Sequence, residues 1–172
     1  GHPDLAGRLA EVRTGIADAA RQAGRDPAGL TLIVVTKFHP VALIRELHTL
    51  GVDDIGESRH QEAREKAAQL TDLDLTWHFV GQLQGKKARQ VAAYSNVIHS
   101  VDRASLVSAL GSADRVTRCF LQLNLTQDPA RGGVAQEDLQ PLAELVLATE
   151  GLELLGLMAV APLGEDPRRA FA

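Results

Sequence analysis

Short apolar runs alternate with amphipathic stretches along the whole chain. Leu5, Leu9, Val12 and Ile16 recur at helical spacing and predict an opening helix that ends near Gly24. Residues 31–36 form an apolar, β-branched run and predict the first strand. Pro40 suits the first turn of the next helix, whose face carries Leu43, Leu47 and Leu50 before Gly51 stops it. The pattern repeats. Strands are predicted over 52–56, 76–80, 96–101, 119–125 and 154–160, and helices over 60–70, 84–94, 103–110 and 136–150. Asp166-Pro167 reads as the cap and first turn of one more helix.

Six strand-then-helix units whose strands lack polar alternation imply a parallel sheet covered by helices. Two closures satisfy that pattern: a doubly wound open sheet, or a (β/α)8 barrel of which 3–172 supplies the first six units as one domain. The Gly-x-Gly-x-x-Gly fingerprint does not follow the first strand, which weakens the dinucleotide-binding form of the open sheet.

In a parallel barrel the chemistry gathers at the C-terminal strand ends. Those ends are polar here: Lys37, then Glu57-Ser58-Arg59, His78 with Gly81-Gln82, His99-Ser100 with Asp102, Asn124, and finally Met158 and Pro162. Lys37 stands out. A lysine at the end of a buried strand can be desolvated, and its free amine can then add to an aldehyde; alternatively it snorkels into solvent. His78, within an apolar run, reads either as a site residue or as a core histidine, and His99 as a donor to a backbone carbonyl. Glu57 and Arg59 can be solvated. Lys86, Lys87 and Arg89 open a helix, against its dipole, and so suggest either an anion or a solvated face. Arg131-Gly132-Gly133 could cradle a phosphate through backbone amides or form a plain surface loop.

Bulk properties narrow the function class. A net charge of −4 over 172 residues gives no general attraction to nucleic acid or anionic lipid. Cys119 is the one cysteine, which fits a reducing cytoplasm, and its apolar setting predicts inert packing. No stretch predicts a membrane span or a signal peptide, and Gly1-His2 reads as a tag remnant.

Val35-Thr36-Lys37, Gly56-Glu57-Ser58-Arg59-His60-Gln61-Glu62, Trp77-His78-Phe79-Val80-Gly81-Gln82-Leu83-Gln84 and Gly156-Leu157-Met158-Ala159 together resemble the pyridoxal phosphate homeostasis proteins. These are the YggS/PROSC type, related in fold to the N-terminal barrel of alanine racemase. The resemblance runs from about Leu5 to Ala172. It implies that Lys37 carries pyridoxal 5′-phosphate (PLP) as a Schiff base and that the protein is a carrier for PLP-dependent client enzymes. It further implies that Ser58, His78 and Asn124 surround the ring and that Met158 packs on its face. A PLP-dependent amino-acid racemase is the alternative; against it, Tyr94 is expected to end a helix, so no strand end offers a tyrosine. Three departures stand out. Ser58 replaces the family's usual asparagine; Gly85-Lys86-Lys87 replaces its Ser-Asn-Lys; and the family's seventh and eighth strands, with their phosphate cup, do not follow. The expectation is therefore a barrel truncated at its C-terminus.

Overall fold

The computed structural model describes residues 4–172; the dipeptide read above as a tag remnant lies outside them. Helix α1 spans Leu5–Gln22, and the chain then alternates through β1 (Val34–Val35), α2 (Val41–Thr49), β2 (Asp54–Glu57), α3 (His60–Gln69), β3 (Thr76–Phe79) and α4 (Ala88–Ala92). It continues through β4 (Val97–Val101), α5 (Ala104–Gly111), β5 (Thr117–Leu123), α6 (Leu139–Leu147), β6 (Leu152–Ala159) and α7 (Pro167–Ala170). Among the described residues the strands form one sheet in sequential order, β1 to β6, and every adjacent pair is parallel. The order never reverses. A doubly wound sheet would reverse at its switch point, so the winding is that of a β/α barrel.

The element boundaries differ from expectation for physical reasons. β1 is two residues long rather than six: it pairs with β2 at Val34 and Val35, and the chain turns at residues 37–39. The basic run Gly85–Lys87 forms a separate 3-10 turn ahead of the five-residue α4, so little helix dipole opposes Lys86 and Lys87. Gln136–Asp138 is likewise a 3-10 turn before α6. Asp166 caps α7 as expected, its Oδ1 accepting from Arg168 N at 3.0 Å.

Two apolar clusters lie between sheet and helices. Leu43, Ile44 and Leu47 of α2 pack with Ile55 and Trp77; Val91, Leu106, Leu110, Leu142 and Val146 pack with Ile98, Cys119 and Leu121. These contacts give each strand a helix-facing side and an inner side. Ile55 and Trp77 face the helices, so Asp54, Gly56 and His78 face inward. Burial pushes the Cys119 thiol up to about 11, which suits inert packing. A bulge between β5 and β6 sets Leu154 opposite Cys119 but Gly156 opposite Phe120, leaving Leu155 as the extra residue.

Candidate functional site

Val35 pairs with Gly56, and Gly56 with His78. Two residues beyond these pairs along the chain come Lys37, Ser58 and Val80, so Lys37 lies in the turn that leaves β1 and Ser58 just past the end of neighbouring β2. Lys37 is exposed. Its expected desolvation does not arise, because β1 is the sheet edge and the turn after it is open.

The turn itself is firmly held. Lys66 on α3 is buried and donates through Nζ to Thr36 O at 2.9 Å, Glu57 Oε1 at 2.6 Å and Glu62 Oε1 at 2.9 Å. Thr36 Oγ1 donates to the same Glu57 oxygen at 2.7 Å, and Phe38 N donates to Glu62 Oε1 at 2.5 Å. Glu57 is therefore buried rather than solvated, at 1% exposure. Burial works against ionisation of Glu62, but the hydrogen bonds from Lys66 and the Phe38 amide outweigh it and hold its pKa below the usual value. Arg59 is also not simply solvated: its guanidinium lies 5.1 Å from the centroid of the Phe38 ring. Glu62 closes the string of residues 56–62 in the sequence, but nothing along the chain ties it to this turn. Lys66 has only its i,i+4 spacing from Glu62 as a signal, and that spacing is common on solvated helices.

Deeper on the inner face, His78 bridges two partners. Its Nε2 lies 2.8 Å from Asp54 Oδ1 and its Nδ1 2.8 Å from His99 Nε2. His99 in turn stacks on Phe120 with centroids 4.6 Å apart. Its partner is thus a histidine ring rather than a backbone carbonyl. Burial, helped by the neighbouring His78, lowers the His99 pKa to about 4.

Asn124 spends its side chain on its own loop. Nδ2 donates to Asp128 O at 2.9 Å, and Oδ1 accepts from Thr126 N and Thr126 Oγ1 at 2.8 and 2.7 Å. The neighbouring glycines do not form an open anion nest: Gly133 N donates to Asp102 Oδ2 at 3.1 Å, and Arg131 N to Asp128 O at 3.1 Å. Met158 pairs with Gln122 on the inner side of β6, half-buried. Gly81 is a close-packing position, since a Cβ there would lie 2.3 Å from Ser58 O; the β2 and β3 loops can touch only because that atom is missing. The donor set fits the aldehyde and ring end of a cofactor such as PLP: an accessible primary amine, a neighbouring hydroxyl, and a polar floor of Asp54, His78 and His99. The amides of Arg131 and Gly133 are engaged within the protein.

Comparison with known proteins follows the same line. The family described as alanine racemase, N-terminal domain, matches residues 9–172. A pyridoxal phosphate homeostasis protein of Corynebacterium glutamicum is 42% identical over 159 residues, covering 86% of this chain and 71% of its own length. A protein of the same name from Pseudomonas aeruginosa is 41% identical over 160 residues, covering 91% of this chain and 70% of its own. PipY of Synechococcus elongatus, solved with PLP bound, superposes with a TM-score of 0.77 at 35% identity, covering 95% of this chain and 74% of that one. Alanine racemase of C. glutamicum has a TM-score of 0.63 at 16% identity, covering 81% of this chain and 43% of that one, a likeness of fold.

Proposed function

Starting from the pyridoxal phosphate homeostasis proteins, the branch of the alanine racemase N-terminal domain family to which this chain belongs, we propose that it binds PLP reversibly and covalently at Lys37. The observation that carries the reading is Lys37 itself, exposed at the C-terminal end of β1 in a turn whose two flanking peptide groups are tied down. The PLP-bound state of PipY supports it. When bound, PLP supplies an aldehyde carbon open to attack by an amine.

Lys37 Nζ, in its neutral form, is the nucleophile, and a competing amine reverses the attachment. Ser58, just past the end of neighbouring β2, donates a hydrogen bond to the ring substituents. His78 acts from the floor, where Asp54 and His99 fix its ring plane. Met158 offers apolar surface to the ring face. Asn124 contributes through the loop it fastens.

The protein is a carrier that passes the cofactor to PLP-dependent client enzymes in the cytoplasm, and it does not itself turn over substrate. Racemisation needs acid and base groups on both faces of the reacting carbon. The chain's one tyrosine, Tyr94, is hydrogen-bonded to His60 Nδ1 at 3.1 Å, and His60 opens α3 on the helix-bearing side.

The test is the absorbance spectrum of the chain mixed with PLP, followed by borohydride reduction and peptide mapping. A reduced adduct on Lys37, absent in Lys37→Ala, is the expected result. An adduct that maps elsewhere, or none in the wild type, overturns the reading.

A further inference from the structure

We infer that Glu62, gripped by Lys66, is a positioning residue that sets the direction in which Lys37 presents its amine; the inference rests on the cofactor reading of Lys37 above. The two peptide groups that flank Lys37 are both bound by one cluster. On one side, Thr36 O accepts from Lys66 Nζ at 2.9 Å; on the other, Phe38 N donates to Glu62 Oε1 at 2.5 Å. The cluster closes on itself, because Lys66 Nζ also reaches Glu62 Oε1 at 2.9 Å and Glu57 Oε1 at 2.6 Å. β1, β2 and α3 are thereby locked together at the one turn that bears the exposed lysine.

Phe38 shows what the cluster holds in place. Its φ is +67°, a left-handed conformation that a bulky side chain seldom enters unless its surroundings require it. Burial is not the cause, since the residue is 71% exposed. Residues 36–39 form a β-turn closed by His39 N donating to Thr36 O at 3.0 Å, with Phe38 at its left-handed position, and the hydrogen bond from Phe38 N to Glu62 is the side-chain contact that holds that turn against α3. Packing alone would be served as well by apolar side chains, because a buried ion pair is an expensive way to join a helix to a sheet. What the ions add is direction, and they aim it at the backbone of Lys37. A lysine side chain has many rotamers, so a fixed Cα–Cβ vector limits the space its amine explores.

The experiment compares wild type, Glu62→Ala and Glu62→Gln as full chains. The readouts are the rate of borohydride-trapped attachment of PLP to Lys37, the exchange rate of the Phe38 amide by NMR without PLP, and the thermal melt. Glu62 is partly exposed and sits on the first turn of α3, so Glu62→Ala keeps the fold. Glu62→Ala is expected to slow attachment about tenfold, the factor for one lost hydrogen bond to a charged acceptor, and to speed Phe38 exchange. Glu62→Gln keeps an oxygen acceptor for the Phe38 amide and restores both. Attachment at the wild-type rate in Glu62→Ala, with the adduct still on Lys37, overturns the inference. If the wild-type adduct maps away from Lys37, the cofactor reading fails instead. Phe38 exchange then decides the remaining claim: unchanged exchange in Glu62→Ala overturns the hold on the turn, and faster exchange sustains it.

Discussion

His78 Nδ1 and His99 Nε2 lie 2.8 Å apart on the inner face of the sheet. A pair this close needs a hydrogen on one nitrogen and a lone pair on the other. Two imidazolium rings would set N–H against N–H, so the pair cannot carry a proton on all four nitrogens.

The consequence is a dependence on pH. His99 titrates at about 4 in the fold against 6.5 in a free chain, so it is neutral when folded. Its contribution to stability is complete above pH 6.5 and is lost as pH falls toward 4, because the unfolded chain takes up the proton first. The slope for one proton approaches about 1.4 kcal/mol per pH unit within that window. Urea unfolding at a series of pH values should show a shallower loss for His99→Gln than for the wild type.

Lys66→Met should be among the most damaging single changes. It leaves the buried Glu57 carboxylate, which also accepts from Thr36 Oγ1, without its cation. The expected cost is about 3–5 kcal/mol in urea unfolding. A Glu57→Leu, Lys66→Met pair should recover part of that loss, since the uncompensated charge goes with it.

Gly81→Ala should push the β2 and β3 loops apart. The added Cβ would stand 2.3 Å from Ser58 O and 3.0 Å from Ser58 C. An overpacking cost of about 1–3 kcal/mol is expected in thermal unfolding. PLP affinity should fall as well, because Ser58 shifts relative to Lys37.

Asn124→Ala should loosen its loop. Its amide holds the carbonyl of Asp128 and the hydroxyl and N–H of Thr126. Limited proteolysis within 124–131 should accelerate, and stability should fall by about 1–2 kcal/mol. PLP should still attach to Lys37, but with lower affinity, because the loop that Asn124 fastens contributes to the site.

Much of the fold was legible because of how a parallel strand earns its burial. Runs such as Val97-Ile98 read as strands without alternation, since helices on one side and the barrel interior on the other leave little room for water. The same continuity hid which residues face inward. In Thr76-Trp77-His78-Phe79 nothing in the order of residues says that His78, and not Trp77, lies on the inner face; the packing of Trp77 against the α2 cluster decides it. The candidate site divides in the same way. Lys37 and Ser58 were legible as strand ends, whereas Lys66, and the role of Glu62 beyond its place in the string 56–62, were not, because helix positions with charged neighbours look alike whether they face water or a buried turn.

By itself, the sequence determined the order of strands and helices, the family and the presence of a lysine at the end of the first strand. Those follow from local patterns: apolar runs, Gly and Pro punctuation, and strings of residues that stay together along the chain. Only the tertiary structure decided that Asp54, His78 and His99 form one chain of contacts, and that Lys66 ties Thr36 to Glu57 and Glu62. It also showed that the amides of Arg131 and Gly133 are already spent. Hydrogen bonds and buried charges depend on distances of about 3 Å between groups far apart in the chain, and those distances exist only once the sheet has closed its register.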